Sequence, residues 1–363
     1  MRSISGSVKP NKKYSAISLF SGAGGLDLGF ESTGRVSVVE THDANETFVR
    51  TLQLNRGKKV NQDFEPVLNE TRINHSDLAD PNVLRCFLDK KGSIDIVYGG
   101  PPCQSFSVAG KRLGLQDLRG SLIYSFIEII DNVMPRGFVF ENVPGFTTIH
   151  NGELRYSFLK KIRELGYSTW DGILNAADFG SATFRERFFV VAVKGGKPIK
   201  PPSPTHVDPS TVNEGQDDLF GLELRSWQSC EQPLEQVRLE ALASILPNHV
   251  FVNHKPETIE RFSHLKFGER DQIRRRNRLD PARPSYTIFV GGVLGKLQAR
   301  THIHPFEDRE LTPRECAALH GFPNDWEFCG NLDEALLQVA NSVPIPLASK
   351  VASHLLEALD GED

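Results

Sequence analysis

Short apolar runs alternate with amphipathic segments over the first half of the chain. The runs are closed by glycine, proline or polar residues, which is typical of strands buried in a parallel sheet. They cover residues 16–20, 36–40, 94–98, 137–140, 170–174 and 184–193. Apolar residues at helical spacing lie between them, most clearly over 122–133 and 154–165. The alternation predicts an α/β domain that is built on one parallel sheet and extends over residues 1–194.

The pattern changes at a Pro- and Gly-rich stretch between residues 195 and 204, which predicts a domain boundary. From there to residue 312 the apolar periodicity is poor and turn residues are frequent. We therefore expect a small, irregular, mostly β domain over residues 195–312.

The end of the chain predicts helices again. Residues 311–323 have the signals of a helix that is capped by Thr312, starts with Pro313 and ends in glycine. We expect residues 313–363 to form a hinge and a C-terminal amphipathic helix that returns to the first domain. Residues 1–13 are polar, and we expect a flexible tail there.

Composition excludes several classes of protein. With 39% hydrophobic and 24% charged residues, the chain is typical of a globular protein. We expect no secretory signal, and no stretch approaches the roughly 18 apolar residues of a membrane span. The five cysteines include no CxxC pair, which predicts reduced thiols in a cytoplasm and no metal site. Cys316 and His320 lie one helical turn apart, and we expect them to pack in a core.

Charge is unevenly distributed along the predicted middle domain. Residues 203–246 carry eight acidic and two basic residues, whereas residues 255–283 carry nine basic and five acidic ones. The basic stretch includes Arg274, Arg275, Arg276 and Arg278. Such a patch can bind phosphates, but on its own it is more often a solvated surface.

The first strand leads into a glycine-rich turn, Ser21-Gly22-Ala23-Gly24-Gly25, and then into a helix. This order is typical of a nucleotide-binding βαβ unit. Asp27 occupies the place of the third glycine of a dinucleotide fingerprint, and near the helix start it would disfavour a diphosphate. Glu40 follows the second strand, where a ribose-binding acid is expected. The two acids favour S-adenosylmethionine, which has a sulfonium and no phosphate, over NAD.

Cys103 and Glu141 each follow a predicted buried strand. Two prolines precede Cys103 and restrict its backbone, at the sheet edge where α/β proteins bind ligands. A buried structural cysteine is the alternative, and position alone does not decide between them. Two neighbouring strands that end in Cys and Glu are an arrangement suited to catalysis. Residues 108–120 are rich in Gly, Ser, Lys and Arg, which suits a mobile lid.

With these motifs in this order, the chain resembles the cytosine-5 DNA methyltransferases. The resemblance is carried by residues 20–25, 100–107, 119–122, 141–143, 185–187, 311–316 and 341–344. It implies a Rossmann-like S-adenosylmethionine-dependent methyltransferase domain with a target-recognition domain at 195–312. It further implies methylation of a specific duplex DNA sequence by the modification half of a bacterial restriction-modification system, or by a solitary relative. Such an enzyme would act as a cytoplasmic monomer, with any cognate endonuclease acting separately.

The resemblance also implies residue roles. Cys103 would attack C6 of a flipped-out cytosine, Glu141 would hold or protonate N3, and Arg187 would contact the base near O2, with Arg185 beside it in the pocket. The implied cofactor-binding residues are Phe20, Gly22, Gly24, Glu40, Asp63, Pro102, Leu122, Asn341 and Ser342. The implied DNA-binding residues are Ser105, Lys111, Arg274, Arg275, Arg276 and Arg278.

Two positions depart from the family pattern, and the sequence also bears on three alternative functions. Thr183 stands where Gln is common and predicts a shorter tether to the active-site loop, and Ala340 replaces a Gly. Transfer-RNA cytosine-5 methyltransferases share the catalytic core, but their Cys-Phe-Thr signature is absent here. Intact Cys103, Glu141 and Arg187 disfavour a non-catalytic DNA-binding relative. Asp27 and the Pro-Cys loop disfavour an NAD-dependent oxidoreductase.

Overall fold

A seven-stranded sheet forms the centre of the molecule. The computed structural model describes residues 12–58, 67–102, 122–195, 198–208, 224–293 and 296–361. The strands of the sheet are β1 (Tyr14–Leu19), β2 (Val36–Asp43), β3 (Arg72–His75), β4 (Ile96–Gly99), β5 (Gly137–Asn142), β6 (Tyr167–Asn175) and β7 (Glu186–Lys194). They are arranged in the order β3-β2-β1-β4-β5-β7-β6. The predicted strands are therefore confirmed. Strand β3 was not predicted, because no apolar run marks it in the sequence.

The sheet is mostly, not entirely, parallel. The strands β1 to β5 pair in parallel, whereas β7 runs antiparallel to both β5 and β6. Parallel neighbours need a long crossover, but only a short connection separates β6 from β7, which is what an antiparallel pair requires. The expectation of a purely parallel sheet was wrong at this edge.

Apolar residues of the strands alternate between two cores, one on each face of the sheet. Ala16 of β1 packs into one core and Ile17 into the other, because successive side chains point to opposite faces. Helices cover both faces, and their bounds are α1 (Gly25–Glu31), α2 (Glu46–Leu54), α3 (Pro81–Arg85), α4 (Leu122–Val133), α5 (Glu153–Glu164), α6 (Glu231–Ala243), α7 (Pro256–Ser263), α8 (Pro313–Leu319), α9 (Leu332–Asn341) and α10 (Ile345–Asp360). Helix α4 has the predicted bounds.

The C-terminal helices pack against the large sheet domain, as predicted. Thr312 caps α8 in a capping box with Glu315, and Cys316 is fully buried in the core. The last helix, α10, packs on α1. At its end Asp360 accepts a hydrogen bond of 2.8 Å from the hydroxyl of Tyr14 in β1. This contact ties the end of the described chain to the first strand.

The region 195–312 contains more helix than expected. Its described residues form β8 (His206–Val207), β9 (Arg225–Ser226), β10 (Phe289–Val293) and β11 (Lys296–Arg300), but also α6 and α7. Helix α6 buries Leu234 and Val237 while Leu239 and Leu242 are exposed. Its apolar positions therefore do not follow one helix face, and the sequence pattern did not reveal it.

In the part of the chain that the structure describes, no helix combines the length and the apolar character that a bilayer span requires.

Candidate active site

The carboxyl ends of three neighbouring strands, β1, β4 and β5, bring predicted site residues to one edge of the sheet. Strand β1 leads into the glycine turn (residues 20–25), β4 leads into Gly100, and β5 ends in Glu141 and Asn142. The registers place Leu19 beside Gly99 and Gly99 beside Phe140, so these ends lie at the same level. This edge is where open α/β sheets bind their ligands.

Glu141 and Arg187 form an ion pair at this edge. Arg187 lies near the start of β7, which is antiparallel to β5, and its Nε atom is 2.9 Å from Oε1 of Glu141. Both side chains are only 12% exposed. Burial raises the pKa of Glu141, and the charges of Arg187 and Arg185 oppose that rise. A shielded carboxyl group with a raised pKa is suited to exchanging a proton with a ring nitrogen.

The beginning of the cysteine loop is held against the same carboxylate. Nδ2 of Asn142 donates to the carbonyl oxygen of Pro101 at 2.9 Å. A Cβ atom on Gly100 would collide with Oε2 of Glu141, so only glycine permits this approach. Residues 103–121 lie outside the described residues, and with them the predicted site residues Cys103, Ser105 and Lys111.

Arg185 does not lie in the pocket beside Arg187, which corrects the expectation. Its side chain is buried, at 1% exposure. The guanidinium donates to the main-chain oxygen of Ile288 at 3.4 Å and to that of Ala340. Two segments that are remote in sequence cover Arg185. Its Nη1 and Nη2 atoms donate to their carbonyls, whereas its buried Nε has no hydrogen-bond partner among the described residues.

The glycine turn combines left-handed backbone with open space. Phe20 and Gly22 have φ values of 54° and 56°, and nothing lies within 4 Å of a Cβ atom built on Gly22. The N–H of Gly22 donates to Oδ2 of Asp43 at 2.8 Å. Gly24, with a φ of 87°, caps α1. The turn therefore leaves room beside an ordered carboxylate.

The C-terminal motif meets this turn, as the sequence predicted. A Cβ atom on Gly25 would come within 3.1 Å of the Cβ of Ser342. Asn341 is exposed at the end of α9, and Ser342 is buried beside it. Of the other expected cofactor residues, Pro102 is exposed and Leu122 is half-buried at the start of α4.

Glu40 does not occupy the strand end, which corrects a second expectation. Strand β2 continues to Asp43, about 10 Å further along at about 3.3 Å per residue. Glu40 instead bonds to Lys90 Nζ at 2.6 Å and to His42 Nε2 at 3.2 Å. The hydrogen bond with His42, followed by that with Lys90, lowers the pKa of Glu40 to about 2. Sequence reasoning ended β2 too early because Thr41 and His42 are polar, although both are buried.

Two carboxylates at this edge were missed. Asp43 ends β2, and burial raises its pKa. Asp77 follows β3 and accepts from the N–H of Ala79 at 2.9 Å. Ser76, the residue before Asp77, donates its N–H to the main-chain oxygen of Asp43 and so joins the two strand ends. The predicted Asp63 lies outside the described residues.

Comparison with known proteins identifies the family of this chain. The family model of C-5 cytosine-specific DNA methylases matches residues 14–357. The chain belongs to this family. It is a DNA cytosine-5 methyltransferase of restriction-modification type, as the sequence motifs predicted.

Relatives cover almost the whole methyltransferase. The Type II methyltransferase M1.HphI of Haemophilus parahaemolyticus is 32% identical over 94% of this chain and 86% of its own length. M.FnuDI of Fusobacterium nucleatum is 30% identical over 96% and 95%. Two solved structures share the fold. They are a putative DNA modification methyltransferase of an E. coli prophage (22% identity, TM-score 0.71, 96% of this chain and 100% of that one) and the S. pombe Dnmt2 methyltransferase (20% identity, TM-score 0.65, the same coverage).

The arginine turn (residues 270–277) presents only part of the predicted basic cluster of the methyltransferase. Arg274 and Arg275 are exposed, and Arg275 has a φ of 55° in the turn. Arg276 is partly buried, with Nε 3.4 Å from Oε1 of Glu310, and Arg274 pairs with the same carboxylate at 3.3 Å. Exposed arginines on a surface turn can reach a phosphate backbone.

Arg278 is a structural residue, which corrects its predicted role in binding DNA. It is 6% exposed. Its guanidinium donates to the main-chain oxygens of Phe262 at 2.6 Å and Pro305 at 2.9 Å, and it also pairs with Asp308. These partners surround the cation and keep it away from solvent.

The structure of the methyltransferase changes two further predictions, those for Asp27 and Thr183. Asp27 is fully buried and accepts a hydrogen bond of 2.7 Å from the Tyr98 hydroxyl, so its carboxylate does not face a ligand. Thr183 is also buried and donates at 3.4 Å to the main-chain oxygen of Ser285. Its described partner is thus in the middle region, whereas the predicted partner loop lies outside the described residues.

Proposed function

We propose that this methyltransferase moves the methyl group of S-adenosylmethionine to C5 of a cytosine flipped out of a specific duplex sequence, through a covalent bond between Cys103 and C6. One observation carries the proposal. Asn142 bonds to Pro101, two residues before Cys103, at the strand end that also holds the Glu141–Arg187 pair. This contact supports the proposal that the Cys103 thiol and the Glu141 carboxylate act in one site.

The roles follow from the chemistry of the base. C5 of cytosine is a weak nucleophile, and addition of the Cys103 thiolate at C6 moves electron density to C5. Glu141, whose pKa is raised by burial, donates its proton to N3 and so offsets the charge that develops in the ring. Arg187 holds Glu141 and contacts O2. C5 would then bond to the methyl carbon as the S–CH3 bond breaks and S-adenosylhomocysteine leaves. A water molecule would take the C5 proton, and the electron pair of that C–H bond would expel Cys103 as a thiolate.

The residues at the sheet edge fit S-adenosylmethionine, which supplies an electrophilic methyl group on a sulfonium. Asp43 and Asp77 are acceptors suited to ribose hydroxyls and an adenine amine, and we propose that Asp43 takes the role expected of Glu40. Two carboxylates at this edge disfavour a diphosphate and favour a cation. The remaining walls would come from Phe20, Gly22, Gly24, Pro102, Leu122, Asn341 and Ser342.

DNA binding would place phosphates against the exposed part of the arginine turn. Phosphate contacts set position, whereas the base sequence is read by other groups of the middle region. We propose residues 195–312 as the target-recognition domain, residues 1–194 as the catalytic domain and residues 313–363 as the returning hinge and helix. The enzyme would act as a cytoplasmic monomer, separately from any cognate endonuclease.

The test follows labelled methyl transfer from S-adenosylmethionine into duplex DNA and into transfer RNA. We expect label in DNA, none in RNA, and no transfer by a Cys103→Ser variant. Cys86 is exposed and lies elsewhere, so Cys86→Ser is the matched control and should remain active. Duplex with 5-fluorocytosine at the target should trap a covalent adduct, because fluorine cannot leave as a proton does. Label in RNA alone, or an active Cys103→Ser variant, would overturn the proposal.

A further inference from the structure

Three elements of the methyltransferase meet at one buried side chain, that of Arg185. Arg185 immediately precedes β7, Ile288 immediately precedes β10, and Ala340 is the second-last residue of α9. One guanidinium donates to the carbonyl oxygens of both Ile288 and Ala340. The three elements are about 50 to 150 residues apart in sequence, so only the fold creates this junction.

The first arm of the junction is the target segment (residues 285–288). Its Ser285 accepts from the N–H of Phe184 at 2.8 Å and donates to the oxygen of Ala182 at 2.9 Å. The hydroxyl of Thr287 donates to the oxygen of Phe184. The target segment continues into the β10–β11 hairpin, which packs against α9. The middle region is thus bonded to the stretch that leads into Arg187.

The second arm is the corner between α9 and α10. Ala340 precedes Asn341 and Ser342, the proposed cofactor wall. The hydroxyl of Ser342 donates to the oxygen of Val339 at 2.7 Å and lies 3.0 Å from Nδ1 of His320. Because Ser342 also abuts the glycine turn, the carbonyl held by Arg185 is next to residues that would line the cofactor.

The two members of the catalytic pair act on the charge of Arg185 in opposite directions. Among the residues that the structure describes, its guanidinium has carbonyl partners and no carboxylate at hydrogen-bonding distance. Burial lowers the pKa of Arg185, the nearby charge of Arg187 lowers it further, and the charge of Glu141 acts in the opposite direction. A buried cation is costly unless its hydrogen bonds and a nearby charge compensate. The position of Arg185 therefore depends on the target segment, the corner and Glu141 together.

We infer that Arg185 is a positioning residue that couples DNA binding to cofactor binding. One rigid guanidinium holds Ile288 and Ala340 in a single geometry, so a ligand that orders one arm also orders the other. Each ligand then raises the affinity for the other by the same factor, because such coupling is reciprocal. The inference rests on the proposed function, since it takes Asn341 and Ser342 as cofactor wall and the middle region as DNA-binding.

The experiment measures coupling without turnover. The Kd of S-adenosylhomocysteine is measured by calorimetry with and without duplex DNA carrying the target site. We expect DNA to tighten binding about fivefold or more in the wild type. Arg185→Lys keeps the charge but loses the planar fork. In this variant we expect DNA to change the Kd of S-adenosylhomocysteine by less than about twofold. The Kd of each ligand measured without the other should change less than this coupling does.

Arg314→Lys is the matched control. Arg314 is also fully buried and donates to main-chain oxygens, those of Pro247, Pro323 and Trp326, away from the junction. This variant should keep the coupling even if its melting temperature falls. If Arg185→Lys does not fold, Thr287→Val tests the same junction by removing the bond to Phe184, and it should reduce the coupling factor.

Three results would overturn this inference and leave the proposed function intact. These are wild-type binding of both ligands without coupling, a folded Arg185→Lys variant that keeps the wild-type factor, and equal loss of coupling in Arg314→Lys. Wild-type protein that binds neither S-adenosylhomocysteine nor DNA would instead overturn the proposed function. The two failures are therefore distinguishable.

Discussion

Nε of Arg187 lies 2.9 Å from Oε1 of Glu141, across the antiparallel pair of β5 and β7. Burial raises the pKa of Glu141 and lowers that of Arg187, while each charge favours the ionised form of the other. The carboxyl group can therefore be protonated more readily when a base enters, yet it remains held in one orientation. The buried ion pair fits a catalytic role for Glu141 better than the role of an ordinary surface residue at the edge of the sheet.

Glu141→Gln should lower the methyl-transfer rate by about two to three orders of magnitude, because the amide cannot give a proton to the base. DNA affinity should change only a few-fold. Single-turnover rates and DNA titrations measure the two effects separately. A rate near that of the wild type would show that Glu141 does not act on the ring.

Arg187→Met should destabilise the fold by about 3 kcal/mol, because it leaves a buried carboxylate unpaired. The double variant with Glu141→Gln should regain part of that loss, since the unpaired charge is then absent. Urea unfolding of the two single variants and the double variant gives the coupling. Simple additivity would contradict a direct pair.

Gly100→Ala should lower activity about 100-fold, since its Cβ would displace Oε2 of Glu141 and a shift of about 1 Å can have this effect on a rate. Gly145→Ala is the control, because nothing lies within 4 Å of a Cβ atom there. Methyl-transfer rates and melting curves check both variants. Equal activity of the two would mean that Gly100 does not need its close approach.

Asp43→Asn should weaken the binding of S-adenosylhomocysteine about tenfold or more, the effect of losing a charge-assisted hydrogen bond. Glu40→Gln should change it only a few-fold, because Glu40 bonds to Lys90 and His42. Calorimetry on both variants measures the difference. The opposite order of effects would restore Glu40 as the cofactor carboxylate.

Arg275→Ala should reduce the slope of log affinity for DNA against log salt by about one, with an unchanged melting temperature. Arg278→Ala should instead destabilise the fold by about 3 kcal/mol, because Asp308 and buried carbonyls lose their partner. Salt titrations and unfolding curves separate the two arginines. Loss of DNA affinity by a stable Arg278→Ala protein would contradict its structural role.

Asp27→Asn should stabilise the protein at neutral pH. Burial raises the pKa of Asp27 from 3.8 to about 6, so the native state binds this proton more tightly than the unfolded state. The contribution of Asp27 to stability is full below about pH 4 and is lost as the pH rises through about 6. The advantage of Asn should therefore grow from about pH 4 to pH 7.5, by at most about 3 kcal/mol. Urea unfolding at both pH values tests this, and a difference that does not vary with pH would contradict it.

Local patterns were sufficient for most of the sheet, for the family and for helices α1, α4, α5, α8 and α10, whereas α2, α3 and α9 were not predicted. A strand buried on both faces needs a continuous apolar run, and the Thr312 capping signals act within one helical turn. These constraints are short-range, so they are visible in sequence. The succession of motifs, in which Glu141 follows the Pro-Cys loop along the chain, can also be read directly from the sequence.

Only the tertiary structure decided which of several similar charged side chains is buried and which reaches the site or the surface. Arg185 is covered by Ile288 and Ala340, while Arg187 reaches Glu141. Arg278 is buried and bonded to carbonyls, while Arg275 is exposed on a turn. Whether a charged group faces a ligand or the interior depends on which distant segments pack over it. Residue type and spacing carry no information about that packing.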